Sequence, residues 1–176
     1  ATAIGTWLTL AGQLADRRLI IHPQSCELGS LLKEVLGGSR WTQRLELRST
    51  VGLAPLQTDP QFLRIIVDNL IDNAGKYSPP ESQVLVELAQ QQREGVPGYV
   101  IEVLNLPSDA GWPDPDSLFE KYYRAAHAKR QAGAGLGLFL VDGLVQLLGG
   151  HISYEPTPSH IRFCCWMPAD TVHEPA

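Results

Sequence analysis

Residues 59–78, DPQFLRIIVDNLIDNAGKYS, contain the strongest helical pattern in the chain. Apolar side chains recur there at spacings of three and four, which places them on one face of a helix: Leu63, Ile66, Val67, Leu70, Ile71 and Ala74. Thr58 or Asp59 can cap the start, and Pro60 is tolerated in the first turn. Because prolines follow at 79 and 80, the pattern predicts a helix over residues 60–77 with one face buried.

Three polar side chains follow one edge of that apolar face. Asn69, Asn73 and Lys76 are spaced four and three apart, although asparagine is a poor helix former. They are either the polar margin of an ordinary amphipathic helix or the lining of a ligand groove. In a groove, amide oxygens would suit Mg²⁺ and the lysine would supply a cation for phosphate. This segment alone leaves both interpretations open.

The sequence on either side of this helix predicts an alternation of helices and strands. Helices are predicted at 2–15, 30–36, 117–125 and 138–148, and strands at 44–51, 84–89, 99–104, 151–155 and 160–167. Gly37 and Gly38 are expected to stop the second of these helices. The polar stretch between the strands at 84–89 and 99–104 predicts a hairpin. We therefore expect an α+β fold of two layers, a mixed and mostly antiparallel sheet covered on one face by helices.

Composition excludes several classes of protein. The chain has 176 residues, which suits a single domain, and it carries 14 Lys+Arg against 19 Asp+Glu for a net charge of -5. With no run of five or six like charges, nucleic-acid binding is not expected. No stretch reaches the ~18 apolar residues of a membrane helix, so no membrane contact is expected for this chain. Cys26, Cys164 and Cys165 lack zinc-site spacing, which predicts packing residues in a reducing cytosol.

A second candidate site is the glycine-rich run that opens into the helix at 138–148. Gly133, Gly135 and Gly137 let the backbone approach a ligand, and the free N–H groups at a helix start bind anions such as phosphate. No Gly-Lys-Ser/Thr follows, and no buried strand precedes the run, so it is neither a P-loop nor a dinucleotide fingerprint. Taken alone, the run could equally be a flexible loop.

Taken together and in order, three motifs resemble the boxes of a known family. Residues 69–78 (NLIDNAGKYS) look like an asparagine box, residues 118–124 (LFEKYYR) like a phenylalanine box, and residues 133–138 (GAGLGL) like a distal glycine box. Over residues 28–168 the chain resembles the ATP-binding catalytic domain of bacterial two-component sensor histidine kinases, in the superfamily of gyrase, Hsp90 and the mismatch-repair ATPases. The resemblance implies the Bergerat ATP-binding fold, with ATP and Mg²⁺ as cofactors.

The resemblance also implies a role for each matching position. Asn73 would hold Mg²⁺, Asn69 would support the metal and phosphates, and Lys76 and Tyr77 would contact phosphate and cover the nucleotide. Arg124 would stand at the base of a mobile lid over residues 125–132. Together with Asn69, Asn73 and Lys76, Arg124 completes the expected catalytic set. The remaining nucleotide-binding positions would lead the helix whose N–H groups meet the triphosphate: Gly133, Gly135, Leu136, Gly137 and Leu138.

One box departs from the family pattern. Counting back from Phe119, the proximal glycine box falls on residues 103–107, so Asn105 stands where the family has an aspartate and Pro107 where it has a glycine. Asn105 can still accept a hydrogen bond from adenine, but a neutral acceptor is weaker by about 1 kcal/mol. Asp109 and Gly111 offer an alternative register shifted by four residues. The Asn105 register is preferred.

The resemblance predicts how the chain is divided and what it works with. Residues 1–18 are expected to be the end of a dimerisation and phosphoacceptor helix with its linker, residues 19–168 the ATP-binding catalytic domain, and residues 169–176 a flexible tail. None of the five histidines lies in a phosphoacceptor context: His22, His127, His151, His160 and His173. The expected partners are therefore a separate dimerisation and phosphoacceptor domain and the receiver domain of a response regulator. A cytoplasmic location is expected, whether or not the parent protein is anchored in the inner membrane.

Three functions are compatible with these motifs. The leading hypothesis is a histidine kinase catalytic domain that transfers the γ-phosphoryl group of Mg-ATP to a histidine on a separate domain. The alternative is a degenerate, non-catalytic interaction module of the same fold that docks a response regulator or a kinase, and Asn105 and Pro107 motivate it. A third hypothesis is a serine kinase of the anti-sigma-factor type, which the phenylalanine box and long lid disfavour.

Overall fold

The computed structural model describes residues 3–49, 54–120 and 137–170, with side chains from residue 9 onward. Four α-helices lie in these ranges: α1 (Ala3–Ala15), α2 (Leu28–Gly38), α3 (Pro60–Lys76) and α4 (Gly137–Leu147). The strands are β1 (Gln24–Cys26), β2 (Leu45–Ser49), β3 (Leu56–Thr58), β4 (Val84–Gln90), β5 (Gly98–Asn105), β6 (His151–Tyr154) and β7 (Ile161–Pro168). A short 3₁₀ turn, Thr42–Arg44, leads into β2.

Five strands form the main sheet in the order β2-β4-β5-β7-β6. β2 pairs parallel with β4, whereas β4 with β5, β5 with β7 and β7 with β6 are antiparallel. β1 and β3 form a separate antiparallel pair. The sheet is therefore mixed and mostly antiparallel, and the predicted fold class and the hairpin between β4 and β5 are confirmed.

One face of the main sheet is buried under helices. Alternate residues of each strand point to that face, as the strand period of two requires, and they share one core with apolar residues of α2, α3 and α4. Cys165 belongs to this core, whereas its neighbour Cys164 lies on the other face beside Glu102 and Glu155. The three cysteines are free and buried, as predicted.

Helix α3 forms as its sequence predicts. Asp59 caps it, because its Oδ1 accepts hydrogen bonds from the backbone N–H groups of Gln61 at 3.0 Å and Phe62 at 3.3 Å. Pro60 occupies the first turn, and the N–H of Tyr77 closes the helix on the Asn73 carbonyl. Asn69, Asn73 and Lys76 therefore follow one margin of the buried face.

Some boundaries differ from the sequence prediction. Helix α2 begins at Leu28 and runs through Gly37 and Gly38, which were expected to stop it. The pair β1 and β3 was not predicted, because three residues are too few for a period to show and the strands form by pairing with each other. Of the helix predicted at 117–125, residues 117–120 form turns and the rest lie outside the described residues. Within the described ranges, no helix combines the length and apolar character needed to cross a membrane.

Candidate functional site

The polar edge of α3 meets the start of α4. Asn69 is buried, and its amide nitrogen donates to the Ile65 carbonyl at 2.7 Å, which fixes the side chain on its own helix. A Cβ placed on Gly137 would lie 3.3 Å from the Asn69 Oδ1 atom. Glycine at 137 thus lets the first turn of α4 approach the asparagine closely. Two motifs separated by more than 60 residues are brought together here.

Asn73 and Lys76 continue this edge toward the end of α3, and both are half-buried. The Lys76 ammonium lies 2.9 Å from the Asp72 Oδ2 atom, so the predicted phosphate-binding cation has a carboxylate partner on its own helix. Tyr77 follows directly as the C-terminal capping residue and is also half-buried. The sequence-predicted residues of α3 therefore share one edge of the helix.

Asp72 is a site residue that the sequence analysis missed. Its Oδ1 atom accepts hydrogen bonds from Trp41 Nε1 at 3.1 Å and from Arg40 Nη2 at 2.8 Å, in addition to the Lys76 contact at Oδ2. Burial raises the pKa of Asp72, but hydrogen bonds from Lys76, Trp41 and Arg40 outweigh it and hold the pKa below its ordinary value. The four-residue spacing of Asp72 and Lys76 was the available signal.

Arg44 holds the backbone that follows α3. Its guanidinium donates to the Ser82 carbonyl at 2.7 Å, to the Pro79 carbonyl at 3.1 Å and to the Gly75 carbonyl at 3.4 Å, and it also bonds Ser78 Oγ. These carbonyls include the orphan acceptors of the helix end, where a cation is also favoured by the helix dipole. The end of α3 is thereby tied to the segment just before β2.

Asn105 lies at the end of β5 and is 1% exposed. Its amide nitrogen donates to the Leu106 carbonyl at 2.9 Å, which leaves its side-chain oxygen as the acceptor of this amide. Asp109, in the alternative register, is exposed in a turn closed by the Gly111 N–H on the Ser108 carbonyl, with Gly111 at φ 79°. Asn105 is therefore buried at the end of a strand, whereas Asp109 is exposed in a turn.

The phenylalanine box and the glycine run are described only in part. Leu118 is buried, and the Phe119 ring packs edge-on against Phe163 with centroids 6.3 Å apart, so the start of this box docks on the sheet. Gly137 begins α4, and Leu138 is half-buried against the core. The other predicted residues lie outside the described part of the chain: Arg124, Gly133, Gly135 and Leu136.

The residues on α3 suit a metal that is bound together with phosphate. Within the described ranges, no three His, Cys, Asp or Glu side chains are grouped as a metal site. Asn73 offers a hard amide oxygen beside the buried Asn69, and Mg²⁺ commonly takes one or two protein ligands and completes its shell with phosphate oxygens and water. The side-chain oxygen of Asn73 is of the type that can coordinate Mg²⁺ together with phosphate and water.

Solved structures of histidine kinases share this fold. Full-length ShkA in complex with AMPPNP matches 99% of this chain and 37% of its own, with a TM-score of 0.74 at 20% identity. The Acinetobacter baumannii histidine kinase AdeS matches 94% of this chain and 76% of its own, with a TM-score of 0.71 at 19% identity. At these identities the likeness defines the fold class, the sandwich of the kinase catalytic domains.

The family follows from the sequence match. Residues 58–171 match the family described as histidine kinase-, DNA gyrase B- and HSP90-like ATPase. This match covers more than half of the chain, and the chain belongs to that family. The predicted fold and family are therefore confirmed.

Curated relatives are sensor kinases. The adaptive-response sensory kinase SasA of Nostoc sp. (strain PCC 7120) is 30% identical over 157 residues, covering 86% of this chain and 38% of that protein. The signal transduction histidine-protein kinase/phosphatase MprB of Mycolicibacterium smegmatis is 36% identical over 157 residues, covering 85% of this chain and 31% of that protein. The chain thus spans less than two fifths of either relative.

Proposed function

We propose that this chain binds Mg-ATP and transfers the γ-phosphoryl group to a histidine of a separate dimerisation and phosphoacceptor domain in two-component signalling. The single observation that carries the proposal is the contact of Asn69 on α3 with Gly137 at the start of α4. The side-chain amide of Asn69 lies close to the first residue of α4 there, and an amide beside the N-terminal end of a helix suits a metal-bound polyphosphate. The family membership and the sensor-kinase relatives support it.

Each group at this edge has a part in binding. Asn73 would hold Mg²⁺ through its amide oxygen, with Asn69 supporting it from one turn earlier. Mg²⁺ would offset the negative charge of the phosphates during transfer. Lys76 would donate to a phosphate oxygen, and Tyr77 would cover the nucleotide. Arg124, Gly133, Gly135, Leu136 and Leu138 keep the roles that the family resemblance implies.

In phosphoryl transfer to histidine, the main task of this domain is to position the reacting groups, and it takes no covalent part. A neutral imidazole is already a nucleophile, so the domain needs only to hold the γ-phosphoryl group in line with it. Asn69 and Asn105 are buried and held by hydrogen bonds to backbone carbonyls, so two of the proposed groups are ordered before ligand binds. In the proposal the acceptor histidine belongs to another domain, and residues 1–18 are the end of that domain's helix.

Calorimetric titration of the 176-residue chain with ATP, with and without Mg²⁺, tests the proposal. We expect binding at sub-millimolar nucleotide in the presence of Mg²⁺ and weaker binding without it. Asn73→Ala should abolish the metal dependence, because it removes the proposed ligand oxygen. Gln146→Ala is the matched control, since it removes an exposed amide from α4. No binding at millimolar ATP with Mg²⁺ would refute the proposal.

The second candidate is a degenerate interaction module, and one observation favours it. Asn105 and Pro107 replace the aspartate and glycine of the family pattern at the end of β5, which weakens the expected adenine contact. The two functions differ in phosphate transfer. Sustained transfer from ATP to a purified phosphoacceptor domain added in trans would exclude the non-catalytic module, whereas binding of a response regulator receiver domain without any transfer would favour it.

A further inference from the structure

One carboxylate links Lys76 to a distant segment of the chain. Asp72 holds the Lys76 ammonium at 2.9 Å on Oδ2, while Oδ1 accepts from Trp41 Nε1 at 3.1 Å and Arg40 Nη2 at 2.8 Å. Trp41 and Arg40 lie 31 and 32 positions before Asp72, between α2 and β2. The position of Lys76 therefore depends on a segment outside every motif of the family resemblance.

Several neighbours pack against the Trp41 ring. One face of its ring lies against the backbone of Gly75, where an added Cβ would come within 2.4 Å of the Trp41 Cδ2 atom. The guanidinium carbons of Arg40 and Arg44 stand 4.6 and 5.3 Å from the ring centroid, within cation–π range. With so little freedom, the indole N–H stays directed at Asp72.

A fixed Asp72 orders the lysine before any ligand arrives. Lysine carries four flexible methylene groups, and immobilising such a side chain costs entropy when it occurs on binding. The ammonium has three N–H donors, and the Asp72 contact uses one, which leaves two for a phosphate oxygen. Asp72 thus restrains the lysine and leaves donors free.

From these contacts we propose that Trp41 and Arg40 are positioning residues for Lys76, acting through Asp72, and that they tighten the binding of the nucleotide's phosphate groups. The inference rests on the proposed function of Lys76 as a phosphate donor. Neither residue needs to touch the nucleotide. The effect should therefore depend on the phosphates of the ligand and on the presence of Lys76.

Trp41→Phe in the 176-residue chain is the first test, with ATP and adenosine as probes in calorimetry. Phenylalanine keeps an aromatic ring near Gly75 and removes the indole N–H together with part of the bicyclic ring, a loss that the Trp166→Phe control shares. We expect the ATP dissociation constant to rise about 3- to 10-fold, with adenosine binding unchanged. This is less than the full effect of losing a hydrogen bond to a charged group, because the loss reaches the phosphates only through Asp72 and Lys76. Trp166→Phe is the control, because it removes an indole hydrogen bond of 2.8 Å, to the Gln91 carbonyl, on the other face of the sheet.

A second pair of variants tests the contribution of the Arg40 charge while the Trp41 ring stays in place. Arg40→Gln should weaken ATP binding less than Trp41→Phe, because Arg40 is exposed and the indole bond remains. Arg64→Gln is its control, since Arg64 also joins α3 to the α2 region through an exposed ion pair, with Glu34 at 2.9 Å. In the Lys76→Ala background, Trp41→Phe should cause no further loss of ATP affinity.

The outcomes distinguish the inference from the proposed function. If the wild-type chain binds no ATP, the proposed function fails and the inference fails with it. If the wild-type chain binds ATP and Trp41→Phe leaves the affinity unchanged, only the inference is overturned. The inference is also overturned if Trp41→Phe weakens the binding of ATP and adenosine equally, or if it weakens ATP binding as much in the Lys76→Ala background as in the wild type. Either result would show that Trp41 has a general structural role.

Discussion

Side chains from earlier segments of the chain pack against two glycines within helices, Gly75 in α3 and Gly143 in α4. A Cβ on Gly75 would lie 2.4 Å from the Trp41 Cδ2 atom, and a Cβ on Gly143 would lie 2.1 Å from the Leu14 Cδ2 atom. The neighbours differ in freedom. Trp41 is a flat ring held by Asp72, whereas the Leu14 atom is the terminal methyl of a flexible side chain.

The difference separates a fixed junction from an adjustable one. At Gly75 the indole, the helix backbone and the Asp72 carboxylate are joined by packing and hydrogen bonds, next to a proposed phosphate-binding residue. At Gly143 the contact is apolar, and it seats α1 on α4 beside the buried Ala11. The same feature of sequence, a glycine within a helix, therefore has different consequences for stability.

Gly75→Ala should produce the largest effect. Alanine favours a helix over glycine by about 1 kcal/mol, but its methyl would overlap the Trp41 ring, and overpacking of this kind costs about 1–3 kcal/mol or more. Because the Trp41 ring is held in place, the clash should cost about 3 kcal/mol, the upper end of that range, and the net loss in the free energy of unfolding, measured by urea denaturation, should be about 2 kcal/mol.

The Trp41→Ala background is the control for that prediction. Once the ring is removed, the alanine methyl meets no clash, so Gly75→Ala should become neutral or stabilising by up to about 1 kcal/mol. Such a reversal of sign would assign the cost to Trp41. Destabilisation of equal size in both backgrounds would contradict it.

Asp72→Asn should have the next largest effect, and it should depend on pH. At pH 7 the variant loses charge-assisted bonds to Lys76 and Arg40, and we expect a loss of about 1 to 2 kcal/mol. Because the pKa of Asp72 in the folded chain lies below 3.8, the ionised carboxylate stabilises the fold above that value. The difference between wild type and variant should stay constant at neutral pH and shrink as the pH falls below 3.8.

For Asp68, one turn earlier on α3, we expect the Asp→Asn substitution to change the stability in the opposite direction. Asp68 is exposed, but partial desolvation and the neighbouring Asp72 raise its pKa, and Arg40 only partly offsets them. Its charged form is therefore disfavoured in the fold, so Asp68→Asn should stabilise slightly at neutral pH. That gain should vanish as the pH falls through the raised pKa toward 3.8. Urea denaturation at several pH values checks both variants, and parallel curves for the two would contradict the assignment.

The sequence predicted most of the fold because its long elements carry strong periods. Helix α3 is close to its predicted bounds, since Asp59, Pro60 and six apolar residues all agree. The pair β1 and β3 could not be predicted, because its stability comes from contacts between residues that lie far apart in the chain, such as Gln24 and Thr58. Gly37 and Gly38 did not stop α2 as expected, because the end of a helix depends on its packing against neighbours as well as on helix propensity.

The sequence predicted the residues of the candidate site on α3, but it did not predict the residues that hold them in position. Asn69, Asn73 and Lys76 follow from spacing along one helix, and the sequence placed them on one edge correctly. Nothing local connects Trp41 with Asp72, because the bond between them closes a loop of 31 positions. Gly75 was the one weak indication in the sequence, because a glycine within a helix often marks a position where another residue packs closely against the backbone.

Gly143→Ala should produce the smallest effect, even though the added methyl would come closer to its neighbour than at Gly75. The Leu14 methyl can leave by a change of rotamer, and alanine improves the helix propensity of α4, so the two contributions should nearly cancel. We expect a change within about 1 kcal/mol in urea denaturation. Gly143→Val adds bulk that the rotamer change cannot absorb and should release α1 from α4, measured as faster amide exchange in residues 9–15. Equal costs for Gly75→Ala and Gly143→Ala would show that the distance of approach, and not the stiffness of the neighbour, governs both junctions.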